Sequence, residues 1–181
     1  MKIAVTGGVA EGKSTLMRFL SDYGLRCLSA DDVARQVRQE PETRTLLASS
    51  FGLEAKELEA GLRQVLADPH GRRRLNAIMH PLVWSRVQAS AYDVAEVPLL
   101  VETCLHNQFD YVVLVTCGPE MQRARLKERG LDDISVQRLL ASQLSFRAKK
   151  PFADLIVRTD GTIEDVQRAA GKIDSIFRGI A

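Results

Sequence analysis

TGGVAEGKST, residues 6–15, follows the apolar stretch Ile3-Ala4-Val5. Gly7, four residues, then Gly12-Lys13-Ser14 fit G-x-x-x-x-G-K-[ST], the spacing of a phosphate-binding loop. A turn of this kind aims successive backbone N–H groups inward and forms an anion-sized nest. Gly7, Gly8 and Gly12 accept backbone angles that a Cβ would oppose, and they let phosphate oxygens approach. A helix beginning near Lys13 adds its positive end. The Lys13 ammonium suits β- and γ-phosphates, and the Ser14 hydroxyl suits Mg²⁺. The flanks agree: MKIAVT reads as a strand, and KSTLMRFLSDYG as a helix with Leu16, Phe19, Leu20 and Tyr23 on one face and Gly24 ending it. A ligand-free glycine turn is the plainer alternative, and the strand–loop–helix context counts against it. The loop alone does not separate a kinase from a GTPase or a motor ATPase.

The bulk of the chain narrows the class. With 181 residues and 45% hydrophobic composition, it suits one α/β domain carrying a helical insertion. Its 25 basic and 23 acidic residues leave a formal charge of +2, which gives no general drive toward nucleic acid or membrane. Cys27, Cys104 and Cys117 are scattered and odd in number, so reduced, buried thiols in a cytoplasmic protein are expected. His70, His80 and His106 lack metal-ligand spacing. No apolar run approaches membrane-spanning length, and the N-terminus reads as a strand rather than a signal peptide.

Outward from the loop, strands are expected at 25–29, 92–97, 111–116 and 155–159, besides the first at 2–6. Helices are expected at 30–39, 119–130, 133–149 and 162–179. Residues 41–95 look mostly helical, with Pro41, Pro69 and Pro81 placed as helix starters and Trp84, Val87 and Ala91 as a core stripe. The continuous apolar run YVVLVT (111–116) fits a strand covered on both faces. Strands alternating with helices predict a doubly wound parallel sheet of five strands. The expected organisation is one domain over 1–181: a core at about 1–40 and 92–181, a helical insertion at about 41–91 and a lid at about 130–150.

Phosphoryl transfer needs a cradle, Mg²⁺, a carboxylate near the acceptor oxygen and mobile cations. Asp31 and Asp32 follow the second strand, where ligands of open α/β sheets bind; that strand is expected near the first. Helix capping is the simpler role for either acid. Glu102 follows VPLLVE, as a metal or substrate contact or as a solvated acid. No acid closes the strand ending Val115-Thr116, which disfavours a motor ATPase. Gln122, Arg125 and Arg129 share one helical face. Arg138 points away from the stripe Val136, Leu140 and Leu144, and could swing over a phosphate as a lid closes; an ordinary solvated face is the alternative. The GRRR run at 71–74 reads as surface, or as a steering patch for an anionic substrate.

In this order and spacing, TGGVAEGKST, SADDVARQV (29–37), RRLNAIMHPLV (73–83), EVPLLVE (96–102), FDYVVLVTCGPEMQRARLKER (109–129), RLLASQ (138–143) and KKPFAD (149–154) resemble dephospho-coenzyme A kinases over most of the chain. The resemblance implies a P-loop kinase fold and transfer of the ATP γ-phosphate to the 3′-hydroxyl of dephospho-CoA, with Mg²⁺, in the cytoplasm, by a monomer or weak homo-oligomer. It implies ATP at Gly8, Val9, Ala10, Glu11, Gly12, Lys13, Ser14 and Thr15, Mg²⁺ on Ser14, and catalysis by Asp31, Lys13 and Arg138. It directs dephospho-CoA to Asp31, Arg35 and His80, to Pro98, Leu99, Leu100 and Glu102, and to Gln143.

The chain departs from that family in places. Ala10 and Glu11 stand where the family favours Gly and Ser, and Glu11 is expected to point outward, away from the phosphates. Ser29 replaces the first acid of an Asp-x-Asp segment. The stretch between Phe51-Gly52 and Arg73 is short, and Thr159-Asp160-Gly161 replaces Asn-x-Gly. A kinase for another nucleoside or nucleotide, and a non-catalytic nucleotide-binding relative, are the alternatives these changes leave open.

Overall fold

The computed structural model describes residues 1–179. In chain order the elements are β1 (Ile3–Thr6), α1 (Lys13–Asp22), β2 (Cys27–Ser29), α2 (Ala30–Gln39), α3 (Pro41–Phe51), α4 (Leu58–Ala67), α5 (Pro69–Ala89), β3 (Val94–Glu96), β4 (Tyr111–Thr116), α6 (Pro119–Glu128), α7 (Asp133–Ala141), α8 (Phe146–Lys149), β5 (Leu155–Arg158) and α9 (Ile163–Phe177). They group into two compact units, Ala30–Ala91 and the remainder of the chain.

The larger unit is a five-stranded parallel sheet in the order β2-β3-β1-β4-β5. β1 is fully buried, and β4 is buried from Val112 to Thr116, as its unbroken apolar run predicts. Ile3, Val5, Leu16, Leu20, Val113, Val115 and Ile173 form the central cluster that seats α1 and α9 on the sheet. A capping box at Thr162 and Asp165 starts α9. One expectation is corrected here. β2 does not lie beside β1; β3 separates them, pairing Val5 with Glu96 and Ser29 with Glu96. The chain leaves the sheet after β2 and returns through β3 into the place next to β1.

The smaller unit is helical. It begins at Ala30 rather than near residue 41, because α2 packs on α5 and buries Val33 and Val37. α5 runs unbroken through Pro81, which the sequence marked as a helix start. An internal proline costs about 3 kcal/mol; Pro81 is exposed, and Leu75, Met79 and Val87 bury one continuous stripe across it. Trp84 is only partly buried and Ala91 is exposed beyond the helix end, so the expected stripe through both is not formed.

The helix expected over 133–149 is broken. α7 ends at Ala141, and the Ser145 hydroxyl caps the short α8 by accepting the Ala148 N–H. The Leu144 N–H goes to the Glu102 carboxylate instead of continuing a helix. Leu144 is exposed and lies outside any stripe with Val136. All three cysteines are free, but Cys27 and Cys104 are exposed and Cys117 alone is buried. The Cys27 Sγ nonetheless tucks against the Met17 carbonyl, and burial pushes its thiol up to about 11.

Candidate functional site

The loop between β1 and α1 is built as a cradle. Gly7 and Gly12 have φ of 151° and 89°. A Cβ on Gly7 would stand 2.5 Å from the Val115 carbonyl oxygen, and one on Gly12 2.7 Å from Thr159 Oγ1, so neither position admits a side chain. Gly8 differs from the expectation: its φ is not positive, and a Cβ there would meet only side-chain ends, Gln122 Nε2 at 2.6 Å and the Glu11 carboxyl at 3.2 Å. Ala10 takes the left-handed conformation instead, at φ 59°. An L-residue pays about 1–2 kcal/mol there. Ala10 is held by burial against Leu126 and Val136 of α6 and α7.

Lys13 opens α1, is nearly buried, and donates from Nζ to the Gly8 carbonyl at 2.9 Å. Glu96, at the end of β3, faces it at 3.9 Å. Sequence reasoning missed Glu96. The signal was an acid closing a strand just before Pro98, at the carboxyl edge of the sheet. Ser14 is exposed and Thr15 half-exposed at the same helix start.

Glu11 does not point outward. It is 6% exposed, and its Oε2 accepts the Gly8 N–H at 2.8 Å. Its Oε1 accepts the Thr116 hydroxyl at 3.4 Å, and its backbone carbonyl accepts the Thr159 hydroxyl at 2.7 Å. Burial pushes the carboxyl above its ordinary range, against the opposing pull of the Gly8 N–H, Lys13, Thr116 and Lys149. The physical reason for the inward turn is that the Gly8 N–H and the Thr116 hydroxyl offer donors on the inner side of the loop.

Gln122 and Arg125 are fastened to the loop rather than mobile. Gln122 Nε2 donates to the Val9 carbonyl at 2.8 Å. Arg125 donates to the Ala10 carbonyl at 3.2 Å, to Thr159 Oγ1 at 3.1 Å and to the Thr159 carbonyl at 2.6 Å. Together they tie α6 to the loop and to the turn after β5. Beside that turn lies a cavity of about 290 Å³ lined by Gly12, Thr15, Arg125, Arg129, Thr159 and Thr162, among others.

The Pro98–Glu102 turn is anchored by Lys149. This side chain is buried, with Nζ 2.9 Å from Glu102 Oε1 and donating to the Pro98 carbonyl at 3.1 Å. Leu100 is buried and Leu99 exposed. Gln143 brings its Oε1 to the Val9 N–H at 3.0 Å. Arg138 is exposed on α7, opposite the buried Val136. Gln143 thus meets the loop, and Lys149 and Glu102 meet the turn, within the larger unit, while Arg138 stands exposed on α7.

The remaining candidates lie in the helical unit. Asp31 is exposed in the first turn of α2. Arg35, on the same helix, pairs with Asp32 at 3.1 Å. His80 is exposed on α5.

The Dephospho-CoA kinase family model matches residues 1–165. A Leifsonia xyli dephospho-CoA kinase is 35% identical over 200 residues, covering 98% of both chains. Among solved structures, a dephospho-CoA kinase from Campylobacter jejuni aligns with a TM-score of 0.70 at 22% identity, covering all of both chains. An Acinetobacter baumannii shikimate kinase aligns with a TM-score of 0.59 at 14% identity, covering 98% of this chain and 93% of that one. The two structures bear on the fold alone: the five-stranded parallel sheet with its flanking helices is the fold that this chain shares with them.

Proposed function

This chain belongs to the dephospho-CoA kinase family, and from that premise we propose that it transfers the γ-phosphoryl group of ATP to the 3′-hydroxyl of dephospho-CoA, releasing CoA and ADP. The observation that carries the reading is the phosphate cradle, with Lys13 at the start of α1, inside a chain matched to the family from residue 1 to 165.

In this reading the loop from Gly8 to Thr15 holds the ATP phosphates through the Lys13 ammonium and through backbone N–H groups other than those of Gly8 and Val9, which are given to Glu11 and Gln143. The cavity beside Arg125 and Thr159 takes the nucleoside, with the partly apolar, partly polar lining that suits a flat base. Asp31 orients or deprotonates the acceptor hydroxyl, and its exposure in a first helical turn leaves its carboxylate accessible. Arg138, outward on α7, adds positive charge to the transferring phosphoryl. For dephospho-CoA we assign Arg35 and His80 in the helical unit and, separately, the Pro98–Glu102 turn and Gln143 in the larger unit. Glu102 acts at one remove, holding Leu144 and Lys149 in place.

Among the described residues, no group of three or more His, Cys, Asp or Glu side chains is arranged to hold a metal. Mg²⁺ keeps several waters and takes much of its coordination from substrate phosphates. The exposed Ser14 hydroxyl is the protein oxygen we assign to it. When bound, Mg²⁺ neutralises charge on the phosphates; the protein's part is positioning and fixed dipoles. Among the described residues no helix is long and apolar enough to cross a membrane, and cytoplasmic action as a monomer or weak homo-oligomer completes the proposal.

An acceptor panel tests the substrate. Purified protein with Mg²⁺ and ATP is offered dephospho-CoA, adenosine, AMP and shikimate, and the products are weighed. Phosphorylation of dephospho-CoA alone supports the reading; preferential phosphorylation of another acceptor refutes it.

A further inference from the structure

The residue before Gly12 in the phosphate loop is a buried acid, and its contacts give it more than a packing role. Glu11 Oε2 accepts the Gly8 N–H, which ties the two ends of the loop's crown together. Its Oε1 meets the Thr116 hydroxyl at the end of β4, which pins the crown to the sheet. A shorter hydroxyl side chain on the same backbone would not span both partners.

The same carboxylate sets a negative charge beside a seat for a polyanion. The groups that face it are Lys13 on α1, Lys149 on α8 and the Cys117 thiol just after β4. Lys13 also faces Glu96 on β3, and Arg125 on α6 is bonded to the neighbouring Ala10 carbonyl. Lys13 is thus shared between Glu11, Glu96 and the incoming phosphates. A protonated Glu11 keeps both contacts, because its carbonyl oxygen still accepts from Gly8 and its O–H can donate to Thr116. Protonation therefore changes the charge under the loop while leaving the brace in place.

We propose that Glu11 is a positioning residue that braces the phosphate loop and makes nucleotide affinity depend on pH, tighter when its carboxyl carries a proton. The proposal rests on ATP seating in the loop and is independent of which acceptor is used.

The test is the dissociation constant of MgATP, measured calorimetrically without acceptor, from about pH 5.5 to about pH 8.5. Wild type is compared with Glu11→Gln, which keeps the length and the acceptor oxygen, and with Glu11→Ser, which lacks both reach and charge. Titration of ATP itself is common to all three and cancels in their ratios. The wild-type constant divided by that of Glu11→Gln is expected to rise with pH as the carboxyl loses its proton, reaching about 10-fold at the alkaline end, the scale of one screened charge near the surface. Glu11→Ser is expected to bind more weakly than Glu11→Gln at every pH, by about 3-fold, from loss of a net hydrogen bond.

A ratio that stays flat with pH overturns the charge coupling, and equal affinity of the Ser and Gln variants overturns the brace. Should Glu11→Gln fail to fold, the wild-type to Ser ratio carries the same pH dependence, and a flat ratio there overturns the coupling equally. Absence of MgATP binding in every protein at every pH overturns the nucleotide assignment itself, a result distinct from parallel profiles.

Discussion

Lys149 Nζ lies 2.9 Å from Glu102 Oε1 and donates to the Pro98 carbonyl oxygen at 3.1 Å, with the lysine side chain 1% exposed. One buried ammonium therefore fixes both ends of the Pro98–Glu102 turn, and Glu102 in turn accepts the Leu144 N–H. Removing the buried lysine leaves the partly buried Glu102 carboxylate without its charge partner, which costs about 1–3 kcal/mol. Lys149→Met is expected to lose stability on that scale in chemical denaturation. Loss below about 1 kcal/mol would place the pair in the class of weak surface bridges.

Asp31→Asn removes the proposed base while leaving the shape of α2 unchanged. Turnover is expected to fall at least about 100-fold, the scale of general-base catalysis, with MgATP affinity retained. Steady-state kinetics with a separate binding titration check both halves. Near-wild-type turnover would remove Asp31 from the mechanism.

Ala10 sets strain against burial. Ala10→Gly relieves about 1–2 kcal/mol of left-handed strain, but it loosens the unfolded chain by about 0.4–1 kcal/mol and gives up a buried methyl worth about 0.8 kcal/mol. The expected net change is within about 1 kcal/mol of zero. Ala10→Val adds a β-branched side chain to the same φ and is expected to lose about 2 kcal/mol or more. Paired denaturant titrations distinguish the two.

Asp93 gives the fold an acid-sensitive joint. Its carboxylate accepts the Arg26 backbone N–H at 2.8 Å and the guanidinium Nε at 3.0 Å and Nη2 at 2.6 Å. Hydrogen bonding from Arg26 holds it below its ordinary value of 3.8. A depressed carboxyl stabilises above its unfolded value and loses that contribution as pH falls through the folded one. Wild type should therefore lose stability on acidification below the ordinary aspartate value, and Asp93→Asn should lose less over the same range. Thermal melts at stepped pH provide the check; identical acid limbs would contradict the assignment. Glu11 has the opposite sign, since a raised carboxyl favours the fold at low pH and opposes it as pH rises.

The sequence made the cradle readable because glycine marks backbone conformations directly, as at Gly7 and Gly12. The run at Tyr111–Thr116 and the acids opening α2 were readable for similar local reasons. What stayed hidden depended on partners distant in the chain. The inward turn of Glu11 needs Thr116, 105 residues away, and the burial of Lys149 needs Pro98 and Glu102. The break after Ala141 follows from Glu102 capturing the Leu144 N–H, which no helical period reveals. Pro81 stays within α5 because the buried stripe through Leu75, Met79 and Val87 outweighs the local penalty. The exchange of neighbours at β1 is a topological fact, and strand patterns alone do not order a sheet.

The most direct measurement is ADP release by purified protein with Mg²⁺ and ATP, with and without dephospho-CoA. The account predicts release that requires dephospho-CoA and matches the CoA formed one for one. Intact MgATP binding with no ADP released in the presence of dephospho-CoA would contradict it.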